Sequence, residues 1–222
     1  MRGCRITENF DGEWAAAPEA VRRCLALAYE ALTAGGLAVG AVLTDPDGSV
    51  RAEGRNQAYD PGPGAGPLRG TPLAHAEMNA LGAARTEWDL GALTLWSTQE
   101  PCSMCTAAAS FTGVGEVRFL APDPWALATG NDGSSGVTGT DDRPHWLVAA
   151  NVMFLRSVSA AAPEGKEPET LVRCRELEPE TARLHDSLPP GLPPSAGLEP
   201  WLAELWPALR DAATARRFRV RG

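Results

Sequence analysis

A chain of 222 residues has room for one good hydrophobic core with a small appendage, and is too short for two full catalytic domains. Its formal net charge of -8, from 28 Asp and Glu against 20 Lys and Arg, argues against a large phosphate-binding surface and therefore against a nucleic-acid partner. Five cysteines make an odd count, a poor basis for a disulfide framework, and suit the reduced thiols of a cytoplasmic protein.

The opening MRGCRITENFDGEW lacks the apolar run of a signal peptide, and no stretch approaches the ~20 apolar residues of a membrane span. From Pro18 to Ala34, Val21, Leu25, Ala28 and Leu32 recur at helical spacing, with a proline to start and Gly35-Gly36 to stop. Two short runs, 37–44 and 49–56, flank the turn Asp45-Pro46-Asp47-Gly48 and predict a β-hairpin. The Gly- and Pro-rich segment Asp60 to Pro72 cannot be regular. It reads either as a solvated loop or as a wall of the site that the next residues build.

Helices are predicted over Leu73 to Arg85 and Cys102 to Phe111, and strands over Leu93 to Thr98 and Glu116 to Leu120. This order after a hairpin predicts an α/β fold, a three-layer α/β/α sandwich with a mixed central sheet. Residues 123–145 are rich in Pro, Gly, Ser, Thr and Asp and read as a lid or an irregular segment. A Pro-rich C-terminal extension follows. In it Leu198, Trp201, Leu202, Leu205, Trp206 and Leu209 keep helical spacing around Pro207, which predicts an amphipathic docking helix. The basic end RRFRVRG reads as a solvated tail or, as the alternative, a phosphate contact. The expected division is a catalytic domain over 1–160 and an extension over 161–222, docking on that domain or on a partner subunit.

The chemistry concentrates in His75-Ala76-Glu77 and Pro101-Cys102-Ser103-Met104-Cys105. One histidine and two cysteines are a three-ligand set for a catalytic zinc that keeps its fourth position open. Cys102 and Cys105, three apart, share a helix face, and a helix N-terminus favours the thiolate. His75 and Glu77, two apart, can serve one site only if the metal sits at the start of their helix. His145 and His185 stand singly and are poor ligand candidates.

HAEMNA followed by TQEPCSMC resembles the zinc deaminases of nucleobases in the cytidine deaminase superfamily. The resemblance points to the branch holding guanine deaminases, fungal-type cytosine deaminases and tRNA adenosine deaminases. It covers about residues 18 to 125, and implies the same sandwich with Zn2+ held by His75, Cys102 and Cys105. Glu77 is then the proton carrier, Asn56 a hydrogen-bonding partner of the base, and Val39 and Ala74 are pocket-lining positions. Three features depart from the family pattern: Ala38-Val39 stands ahead of Gly40-Ala41, where proline or phenylalanine is common, the loop before His75 is longer, and APDPWALATGND after the last core strand matches the Asp- and Gly-containing patterns only loosely. The leading expectation is hydrolytic deamination of a free nucleobase or nucleoside, with a guanine-like purine or cytosine-type ring, by a homodimer. The alternatives are a tRNA adenosine deaminase, a deaminase tailoring a base-derived natural product, and a noncatalytic zinc-binding scaffold.

Overall fold

In the computed structural model, residues 9–62, 66–123, 137–139, 144–189 and 197–221 are described. Two helices open them, α1 (Phe10–Ala16) and α2 (Glu19–Thr33). The sequence pattern predicts nothing at α1, because seven residues carry too few turns for periodicity to register. Its start is nevertheless marked by Asn9, whose side chain accepts from the Gly12 amide at 3.0 Å. Helix α2 begins just after Pro18 and ends ahead of Gly35, whose φ of 81° suits a residue without Cβ.

The hairpin forms as β1 (Gly40–Thr44) and β2 (Val50–Arg55), antiparallel, with Gly48 at φ 90° in the turn and Ser49 donating its amide to Asp47 Oδ1. Next come α3 (Ala76–Gly82), β3 (Thr94–Gln99), α4 (Ser103–Thr112), β4 (Glu116–Ala121) and the short β5 (Val137–Gly139). Strand order is β2-β1-β3-β4-β5. The pairs β2/β1 and β1/β3 are antiparallel, while β3/β4 and β4/β5 are parallel, so the sheet is mixed as expected. The expected helix over Leu73 to Arg85 shortens at its front, because His75 sits at φ -68° and ψ 155° as the cap and not inside the first turn.

Four helices complete the described chain: α5 (Pro144–Ala161), α6 (Glu169–Leu177), α7 (Pro179–Ser187) and α8 (Leu198–Arg221). The lid expected over 123–145 falls largely outside the described residues, although its end, Pro144 and His145, already belongs to α5. Helix α5 is buried nearly all round, with Trp146, Leu147, Val148, Ala149, Val152 and Met153 all inside. A helix apolar on every face has no stripe to read, and so its 18 residues carry no periodic signal.

The sheet separates two cores. On one face α2, α5 and α8 pack with Trp96, Val42 and Leu120; on the other, α3 and α4 pack with Leu95, Ala41 and Leu43. Helix α8 lays Trp201, Leu202, Trp206 and Leu209 into the first of these and runs through Pro207. That proline lies on the solvent side, as does Ala203 one turn earlier, so the carbonyl deprived of its donor can be hydrated. The basic end is corrected: it is the last turns of α8. Arg216 bonds both carboxylate oxygens of the buried Glu178 at 2.6 and 2.7 Å, and Arg219 bonds both of Glu180 at 3.0 Å. These partners lie 38 to 39 residues away in sequence, beyond the reach of any local pattern. Among the described residues, no helix is long and apolar enough to cross a membrane.

Candidate active site

Two helix starts and one strand build the site. His75 caps α3 and Cys102 caps α4, each in extended backbone, and Cys105 lies in the first turn of α4. His75 Nδ1 is 3.6 Å from the sulfur of Cys102 and 3.6 Å from that of Cys105, and the two sulfurs are 3.6 Å apart. Tetrahedral zinc, with bonds of about 2.3 Å to sulfur and about 2.0 Å to nitrogen, puts its ligand atoms roughly 3.5 to 3.8 Å from one another. The triangle therefore has the edge lengths of one face of a zinc tetrahedron. Among the described residues these three are the group of His, Cys, Asp and Glu side chains that could hold an ion, which leaves the fourth corner open.

The electrostatics suit a cation. The Cys102 thiol is driven down to about 3, first by its hydrogen bond with Cys105 and then by its hydrogen bond with His75. Cys105 is pushed up, first by its hydrogen bond with Cys102 and then by burial, and His75 is raised by its hydrogen bond with Cys102. Two thiols in contact with each other and with an imidazole are a donor set that a metal would deprotonate.

Glu77 is 3% exposed, the second residue of α3 after the cap His75, and burial pushes its carboxyl up. Its Oε2 lies 3.5 Å from the sulfur of Cys105, and its Oε1 accepts a 2.7 Å hydrogen bond from the hydroxyl of Ser97. Ser97 is wholly buried on β3 and was not singled out by the sequence analysis. The available signal was a polar residue amid the apolar positions of a central strand, which must find a partner. Gln99, two residues on and so on the same strand face, is also buried, and neither of its amide atoms is paired among the described residues.

Helix α3 is held against the hairpin by small groups. A Cβ on Gly54 would stand 2.5 Å from the Ala76 carbonyl and 2.6 Å from the Ala80 nitrogen, so only glycine lets the start of α3 lie this close to β2. Asn79 adds a bond from Nδ2 to the Arg55 carbonyl at 2.9 Å.

The three residues expected to meet substrate gather at the end of the hairpin. The Asn56 amide donates to the Val39 carbonyl at 2.9 Å, and the next amide, Gln57, donates to the Ala74 carbonyl at 2.9 Å, directly before His75. Asn56 is 3% exposed, and its Oδ1 accepts from the Ala58 amide at 3.0 Å. Val39 and Ala74 are buried, so their side chains serve packing and their backbones join the segments. The long loop is anchored rather than loose at both sides of 63–65. Buried Asp60 takes Arg55 at 2.7 Å and Arg69 at 3.2 Å, and Gly70 donates to the Gln57 carbonyl. Its residues Gly66, Pro67 and Leu68 line a groove of about 380 Å³ along the outer side of α3 with Met78 and Asn79. His145 packs its ring 4.9 Å from that of Trp206, and His185 lies 3.2 Å from Ser159 Oγ, so both belong to the helical layer of α5 to α8.

Residues 16–121 match the family model of the cytidine and deoxycytidylate deaminase zinc-binding region. A tRNA-specific adenosine deaminase of Haemophilus influenzae is 32% identical over 126 residues, 55% of this chain and 65% of that protein. A tRNA(Ile)-lysidine synthase of Deinococcus radiodurans is 34% identical over 114 residues, 50% of this chain and 18% of that protein. The chain thus spans less than two thirds of the length of these relatives. A protein solved in complex with 2,6-diaminopurine shares the fold at a TM-score of 0.50 and 23% identity, over 69% of this chain and 86% of that one. The matched region contains the three-ligand triangle and the buried glutamate, its cofactor is zinc, and over residues 16–121 the chain is similar to the zinc-binding region of the cytidine and deoxycytidylate deaminases.

Proposed function

We propose that this chain is a zinc-dependent aminohydrolase that removes the amino group of a free nucleobase or nucleoside, a guanine-like purine or a cytosine-type ring, as ammonia. The observation that carries the reading is the buried Glu77 carboxylate, aimed by Ser97 at a three-ligand triangle whose fourth corner is open. A structural metal site would use four protein ligands and would have no use for a carboxylate beside it. That argument also disfavours a noncatalytic scaffold.

His75, Cys102 and Cys105 hold the metal in this reading. Zinc, when bound, supplies Lewis acidity that makes water a nucleophile at neutral pH. Glu77 takes the proton of the attacking water, hands it to the ring nitrogen, and then assists the departure of ammonia from the ring carbon. Its burial raises its proton affinity, as a group that must both accept and return a proton requires. Asn56 offers its amide to the ring edge, while the backbone joints at Val39 and Ala74 hold it beside His75.

The similarity to a tRNA-specific adenosine deaminase favours a second reading, deamination within a tRNA loop. The charge weighs against it. Beyond the net -8, Arg23, Arg55, Arg69, Arg216 and Arg219 are all engaged by carboxylates and are not free to meet phosphate. The test is ammonia release by zinc-loaded protein from guanine, adenine, cytosine, their nucleosides and an anticodon stem-loop, with Glu77→Ala alongside. Release from one free base or nucleoside, lost in the variant, is the expected result; release from the stem-loop alone would replace it with the second reading. A homodimer belongs to the same proposal and is checked by sedimentation.

A further inference from the structure

We infer that Ser97 is a positioning residue for the deamination, holding the Glu77 carboxylate in the one orientation that points its second oxygen at the metal triangle. This rests on the reading of Glu77 as the proton carrier.

A glutamate side chain has three rotatable bonds, and burial alone does not choose among the orientations of its carboxylate. In this site two contacts choose. Ser97 donates to Oε1 at 2.7 Å, and Oε2 lies 3.5 Å from the Cys105 sulfur. Only Oε2 is therefore left to handle the proton of a molecule at the open corner. Ser97 itself is well fixed. It sits inside the central strand β3, its backbone registered against Ala41 on one side and Phe119 on the other, and its side chain is fully buried. The hydroxyl is thus a rigid arm from the sheet to a carboxylate on a helix, and it spans 20 residues of sequence. Its neighbour Thr98 points to the opposite face and accepts from the Gly40 amide at 3.1 Å, so the two hydroxyls have separate duties. A misplaced proton carrier loses rate rather than substrate affinity, because the proton moves only in the transition state.

The experiment uses the full zinc-loaded chain in four forms: parent, Ser97→Ala, Ser97→Thr and Glu77→Gln. On the substrate found with the panel above, Ser97→Ala should lower kcat at least about tenfold with KM changed less than about twofold, zinc content and melting temperature staying near the parent's. Ser97→Thr, which keeps the hydroxyl, should recover most of the rate. Infrared difference spectra against Glu77→Gln isolate the Glu77 carboxyl bands without any substrate. These bands should shift in Ser97→Ala and return in Ser97→Thr. Unchanged kcat or unmoved bands in a folded Ser97→Ala would overturn the inference, as would a Ser97→Thr variant no better than Ser97→Ala. Should Ser97→Ala fail to fold, the Thr variant decides, since parent-like bands and rate are then required of it. If Glu77→Gln retains turnover while the bands still shift in Ser97→Ala, it is the role of Glu77 that fails, and the Ser97 contact stands as structure alone.

Discussion

The two faces of the sheet are built from different materials. Beneath α2, α5 and α8 the core is bulky and aromatic: Phe10, Trp14, Trp146 and Trp206 meet ring to ring at 5.4 to 6.5 Å, and Tyr29 meets Trp201 at 6.1 Å. Beneath α3 and α4 the buried core is aliphatic, with no aromatic ring among its described buried residues: Leu43, Leu81, Leu93 and Leu95 lie beside Ala41, Ala52, Ala76, Ala80 and Ala109, with Gly54 where the backbones come closest. Large rings bury much apolar area and stabilise the fold. Small residues bury less, but they set the helix starts that carry His75, Cys102 and Cys105 close to the sheet. One face supplies stability, and the other supplies position.

This division can be broken from either side. The largest expected effect is on the metal: Cys105→Ala removes one corner of the triangle, and zinc content by elemental analysis should fall to near background, with turnover down by roughly a thousandfold or more. The melting transition should stay cooperative, because the aromatic face is untouched. The reverse experiment is Trp206→Ala, which should cost about 3–5 kcal/mol in urea unfolding while the folded fraction keeps its zinc. Loss of zinc at denaturant concentrations where the protein is still folded would contradict the separation of the two faces.

Gly54→Ala sharpens the comparison, since it adds a single methyl. The start of α3 must move away from β2, so zinc affinity should weaken about 10- to 100-fold by competition with a chelator, for a modest change in stability. The smallest effect is expected at the loop anchor. The hydrogen bonds from Arg55 hold the Asp60 carboxyl below its usual range despite its burial. A carboxylate with a depressed folded pKa contributes stability that is complete above its unfolded value near 4 and is lost as pH falls through the folded value. Asp60→Asn should therefore cost about 1–2 kcal/mol at pH 7, and its deficit against the parent should shrink below about pH 4. A deficit constant from pH 7 to pH 3 would assign the loss to packing.

Local chemistry explains what could be read in advance. The Asp45 to Gly48 turn, the stripe of α2 and the strand-helix alternation through Ala121 each depend on neighbours a few residues apart. The mixed sheet was accordingly legible. So was the grouping of His75, Cys102 and Cys105 as side chains that could hold one ion, because a histidine and two cysteines are a zinc-type donor set. Helix α5 was not legible, since an element buried on all sides shows no period. The stripe of α8 was legible, but the partners of its last arginines were not.

The sequence alone determined which side chains could carry the chemistry and which local elements hold them, because ligand type, turn chemistry and helical spacing are properties of short segments. Only the tertiary structure decided that the three potential ligands stand 3.6 Å apart, that Ser97 holds Glu77, and that Arg216 and Arg219 are spent on Glu178 and Glu180. Each of these contacts except the Cys102–Cys105 pair joins residues 20 or more positions apart. Their existence depends on how the sheet, the two helix starts and the C-terminal helix pack together, and no short segment contains that information.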